Sequence, residues 1–280
     1  MINSITRWKR RFRTHVVTRV QLVENLRCRN LTSGYDFHGE FDRIYFYHIR
    51  KCGGTSVNHM FLGLSGEDAG NVYRRLSAAS RTISGGKVFV AHGKRLLQQG
   101  HYYYGFSHRP AHQLNLPDRT FTFTCLRDPV KRLVSHYRMI LEYKKLGKRG
   151  GNLDREATWF GDDFGEFLTN VPKEHRLNQL YMFSENYDVE EAYHNITRCS
   201  CWFLLEHFAE GITRLSSGLG IGLQPAHVRK TILGIDINDE DLERAKEMLE
   251  PEIRLYEKLK AANRRPERPA RVRHRGNACC

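Results

Sequence analysis

A chain of 280 residues with 40% hydrophobic and 11% aromatic content can bury a full core, which excludes wholesale disorder. The formal charge of +14 suggests a nucleic-acid binder until it is located: residues 1–20 hold six Lys/Arg and no acid, residues 263–280 six Arg and one Glu, and the 242 residues between carry only +3. With no apolar run of eighteen residues and no apolar core behind the basic N-terminus, a soluble, cytoplasmic chain without a membrane span and without a nucleic-acid partner is expected.

The chain is expected to divide into a basic N-terminal arm (1–40), a folded domain (41–262) and a basic C-terminal tail (263–280). In the arm, Ile5, Trp8, Phe12 and Val16 share one helical face, with Arg7, Arg10 and Arg11 elsewhere. That spacing suits an interfacial helix on an anionic membrane, and equally a helix packed on the body or a frayed basic arm. "RIYFYHI" (43–49) predicts a strand, and after Gly53-Gly54 the helical spacing of Val57, Met60, Phe61 and Leu64 predicts a helix. "KVFVA" (87–91) and "TFTFTCL" (120–126) read as further strands, the latter entering a helix over 129–145 with Asp128 as cap and Pro129 in its first turn. The stretch 146–165 reads as a loop, "HRLNQLYMF" as helical, "CWFLL" (201–205) as a strand, and the segment after Asn238 as a helix pair broken or kinked at Pro251. Strands alternating with helices imply an α/β fold: a mostly parallel sheet with helices on both faces.

Seven cysteines (28, 52, 125, 199, 201, 279, 280) form no CxxC pair. Free thiols in a reducing compartment, and no metal centre, are the expectation.

The loop "YHIRKCGGTS" (47–56) has the composition of an anion site: Gly53 and Gly54 permit close backbone approach, Thr55 and Ser56 add hydroxyls, and Lys51 adds a mobile charge. A glycine-rich turn with an exposed lysine fits that segment equally well. An ATP-binding GxxxxGK[ST] loop is absent, because here the lysine precedes the glycines. In "LRDPVKRLVSHY" (126–137), Arg127 falls at a strand's carboxyl edge and Ser135 two turns into the next helix, where both could converge on a second phosphate.

Together, "HIRKCGGTS" and "LRDPVKRLVSHY" resemble the two donor signatures of sulfotransferases that use 3′-phosphoadenosine 5′-phosphosulfate (PAPS), of the carbohydrate type. Weaker echoes follow in "RLNQLYMF", "WFLLEHFAEGITRL" and "EIRLYEKL". The resemblance implies a P-loop-type fold, PAPS as co-substrate without a metal, and a carbohydrate or glycolipid acceptor. By it, Lys51, Cys52, Gly53, Gly54, Thr55 and Ser56 fall on the 5′-phosphosulfate loop, and Arg127 and Ser135 on the 3′-phosphate site. Lys51 would neutralise the bridging oxygen as the S–O bond breaks. His92, in "VFVAHGKR", stands where the 2-O-sulfotransferases carry a His-Gly-His base region, with Lys94 in place of the second histidine. It is the expected general base, with His108 in reserve.

Arg50 and Cys52 stand where relatives often have proline and threonine. A thiol at a helix N-terminus would have a lowered pKa and invite a phosphatase-like reading. The Cys-x₅-Arg pattern fails, however: Asn58 follows Cys52 at that spacing, and Lys131 follows Cys125. The competing functions are a Mg-dependent nucleotide kinase on a P-loop scaffold, and a non-catalytic binder of anionic polymers or membranes through the basic tails.

Overall fold

The computed structural model describes residues 22–147, 152–161, 163–224 and 236–263. The interfacial-helix expectation for the arm, most of the C-terminal tail and Cys279-Cys280 lie outside the described residues. A helix over 22–32 (α1) opens the described chain and packs on the body: Cys28 is buried, and Arg81 pairs with Glu24 at 2.7 Å.

Six strands follow: β1 (Arg43–Tyr47), β2 (Arg81–Ser84), β3 (Lys87–Ala91), β4 (Tyr104–Ser107), β5 (Thr120–Leu126) and β6 (Cys201–Leu204). They form one sheet in the order β2-β3-β4-β1-β5-β6, in which only the β2–β3 pair is antiparallel. The helices are α2 (Gly54–Gly63), α3 (Ala69–Ala79), α4 (Lys94–Gln99), α5 (Pro129–Lys145), α6 (Asn152–Ala157), α7 (Phe164–Asn170), α8 (Lys173–Arg176), α9 (Asn178–Phe183), α10 (Val189–Thr197), α11 (Phe208–Leu219), α12 (Asp239–Met248) and α13 (Glu250–Asn263).

Alternation along β1 explains why both faces are covered. Ile44 and Phe46 join a core with Phe61 of α2, Leu76 of α3 and Leu215 of α11; Tyr45 and Tyr47 join another with Leu133 of α5, Leu180 of α9 and Leu259 of α13. Successive strand residues point to opposite faces, so a strand buried on both sides must be apolar throughout. Each fully buried ring here, such as Phe46 stacked on Phe123 at 4.7 Å, contributes about 1.5–3 kcal/mol.

The strands β1, β3, β5 and β6 coincide with the expected ones, and Asp128 caps α5 by accepting from the Lys131 amide at 2.9 Å. Two strands were not expected. β2 is a polar four-residue strand whose pairing with β3 is local, and β4 is hidden in a tyrosine run without alternation. The stretch 146–165 is not a plain loop, for it contains α6 and the start of α7. The late helix pair separates at Leu249, which leaves Pro251 in the first turn of α13, where no intrahelical N–H is needed.

Candidate active site

Parallel strands present all their carboxyl ends at one edge, and that edge collects the candidate residues. His48 follows β1 and leads to Lys51; His92 follows β3, His108 follows β4, Arg127 follows β5, and Glu206 lies two residues past β6. Register fixes this gathering, since Tyr47 pairs with Ser107 on one side and Thr124 on the other.

The loop after β1 turns sharply here. Lys51 takes φ 66° and Gly53 φ 77°. Gly54 begins α2, and a Cβ there would lie 1.9 Å from His48 Nε2, so the loop closes over a histidine that no other residue would accommodate. His48 itself is buried, stacked on Phe46, with Nδ1 3.5 Å from the Asn58 amide nitrogen. Because Tyr104 donates its hydroxyl to Asn58 Oδ1 (2.7 Å), Asn58 presents its NH₂ to His48, whose proton therefore sits on Nε2. Thr55 and Ser56 lie half-buried in the first turn of α2. Unlike α3, α5, α7 and α10, which start on aspartate caps, α2 has no side-chain cap and no acid in its first turn. Its positive end is open to an anion.

Cys52 departs from expectation. Its thiol is fully buried, 3.5 Å from Gln179 Oε1, and burial pushes its pKa up to about 12. A helix N-terminus lowers a thiol pKa only where water or a partner can support the thiolate. Cys52 can therefore offer an anion its backbone, and its thiol is not poised as a nucleophile.

Arg127 reaches the loop directly, donating from Nη1 to the Lys51 carbonyl at 3.2 Å. Ser135 is half-buried on α5. Arg127 is itself held by residues that its own segment does not reveal. The Gln179 side chain accepts from the Arg127 amide and donates to its carbonyl, both at 2.8 Å. Gln179 is held in turn by Glu252, which also pairs with the wholly buried Arg132 at 3.1 Å. The amide of Asp128 donates to Glu206 at 3.1 Å. Gln179, Glu206 and Glu252 lie in "RLNQLYMF", "WFLLEHFAEGITRL" and "EIRLYEKL" respectively, so each weaker echo supplies one support for the strand end at 127–128.

His92 and His108 face each other with ring centroids 5.4 Å apart. His92 is at the surface and takes φ 59°. With Lys51 it is one of five non-glycine described residues at positive φ, a conformation that costs about 1–3 kcal/mol. Loss of water around its ring, then Arg109 and Arg50, lower its pKa below 6.5. His108 lies 2.6 Å through Nδ1 from the His48 carbonyl, which can only accept, so its lone pair is on Nε2. Burial, then Arg50, bring its pKa to about 3. Both imidazoles are neutral near pH 7.

No group of His, Cys, Asp or Glu able to hold a metal occurs among the described residues, and none of their helices is long and apolar enough to cross a membrane. Cys28, Cys52, Cys125 and Cys199 are free thiols.

No curated protein matches the chain significantly. Among solved structures, the crystal structure of a sulfotransferase from Alicyclobacillus acidocaldarius is similar at a TM-score of 0.33 and 14% identity, over 85% of this chain and 92% of that one. The model of the sulfotransferase family matches residues 33–209, a span running from before β1 to the start of α11 and taking in both signature segments and both histidines. The chain belongs to the sulfotransferase family.

Proposed function

We propose that the protein moves the sulfuryl group of PAPS to an acceptor hydroxyl, of a carbohydrate or glycolipid, by in-line displacement at sulfur. The observation that carries this reading is the Arg127–Lys51 contact at 3.2 Å, which joins the two donor signatures although 76 residues separate them. An uncapped α2, a loop that only glycine can close over His48, and a cation on each side fit a phosphosulfate and a second phosphate.

Bound PAPS supplies a sulfuryl group on a phosphate leaving group. Lys51 and the first-turn amides of α2 neutralise charge as it grows on the leaving oxygen, which lowers the barrier without reorganisation. His92 takes the acceptor's hydroxyl proton; its neutral state near pH 7 suits that task. Arg127 and Ser135 hold the 3′-phosphate.

Transfer from labelled PAPS to a panel of sugar and glycolipid acceptors tests this. Lys51→Ala is expected to lower kcat on the order of 10²- to 10³-fold with the chain still folded. Transfer unaffected by that change would remove the mechanism.

A further inference from the structure

Glu156 is a buried carboxylate without a role in the reaction as described. It lies on α6, is 1% exposed, and pairs with Arg50 Nη1 through Oε1. Its Oε2 is 3.4 Å from Nε2 of His136, a residue buried on α5. His136 Nδ1 is buried without a partner, so the imidazole proton sits on Nε2 and is donated to Glu156. Burial raises the Glu156 pKa, but His136 and Arg50 outweigh it and leave the group ionised, at about 2.

Arg50 immediately precedes Lys51. Its amide lies 3.4 Å from Asn178 Oδ1, while the next carbonyl, that of Lys51, is held by Arg127. Lys51 thus keeps its left-handed backbone between two anchored groups, the Arg50 amide and its own carbonyl. Such a conformation persists only where the surroundings over-determine it. The Arg50 charge is also felt by His48, His92 and His108 at the strand ends and by His136, beside Arg132, on α5. Without its carboxylate, that guanidinium would be an uncompensated cation among the candidate bases.

The geometry points to Glu156 as a positioning residue for Lys51, acting through Arg50 and locking α6 to the donor loop. This rests on the PAPS reading above. It explains why a strand-end arginine beside the loop is tolerated next to three histidines: its charge is matched from a segment 106 residues away.

The test uses the full chain with Glu156→Gln and Arg50→Met, singly and combined. Turnover from PAPS, acceptor KM, affinity for adenosine 3′,5′-bisphosphate and melting temperature are measured for each. Each single change is expected to lower kcat at least tenfold at a temperature where the chain is folded, with acceptor KM within twofold. The combined change should lose no more than the worse single one, because both act through one link. Glu156→Gln with kcat within twofold of wild type overturns the inference, as does a combined loss equal to the product of the two. Should a lone charge prevent folding, Arg50→Met/Glu156→Met leaves no buried charge unpaired, and wild-type kcat in that variant overturns the inference. A wild-type chain that binds no adenosine 3′,5′-bisphosphate sinks the parent reading and this inference with it, whereas wild-type turnover insensitive to Glu156 sinks only the latter.

Discussion

His92 and His108 illustrate how far single residues could be read. Their places after strands were visible, but their proton states depend on neighbours brought by the fold. His108 commits Nδ1 to the His48 carbonyl, and both rings stand near Arg50. A base whose pKa is lowered stays unprotonated into acid, so kcat/KM should hold level below pH 6.5 before falling with the uptake of one proton. An acid limb centred at or above pH 7 would contradict that. His92→Ala should cost on the order of 10²- to 10⁴-fold in kcat while adenosine 3′,5′-bisphosphate still binds. If His108→Ala gives that loss and His92→Ala does not, the base is His108.

Among the elements, those carrying the signatures were legible because their information is local. An apolar run, two glycines and a helical repeat mark β1–α2, and an apolar run with an Asp-Pro start marks β5–α5. Gln179, Glu252, Arg132 and Glu156 were not legible as a support, for each is one polar residue in a different helix and acquires meaning only on packing. Glu252 is the element-scale test. It is 1% exposed and carries Arg132, Gln179 and the Leu180 amide at once. Removing one partner of a buried ion pair strands the other, so Glu252→Leu should lower unfolding free energy by about 3–5 kcal/mol in a denaturant titration. Arg132→Met/Glu252→Leu should recover most of it. A loss under about 1 kcal/mol in the single variant would show that the pair does not hold α13 to the sheet edge.

On the scale of the whole molecule, one sheet edge concentrates groups that the folded chain keeps unprotonated. At that edge His48 is buried and His108 half-buried, and His136 is buried on α5; loss of water lowers each below 6.5, His108 to about 3 and His136 to about 4. The unfolded chain takes up those protons near pH 6.5 and the folded chain does not, so stability is complete above that pH and falls as pH drops toward 3. Each group contributes a slope of about 1.4 kcal/mol per pH unit. Melting temperatures between pH 7.5 and 5 should decline steadily on the acid side, and a flat profile would mean that these imidazoles protonate in place. The same edge carries the central claim, that the turn at Lys51 and the Arg127 site take one nucleotide between them. Calorimetric titration with adenosine 3′,5′-bisphosphate and with ADP, both in chelator, tests it most directly. The bisphosphate is expected to bind without Mg²⁺ and at least tenfold more tightly than ADP, with that preference lost in Arg127→Ala. Equal affinities, or binding that requires Mg²⁺, would contradict it.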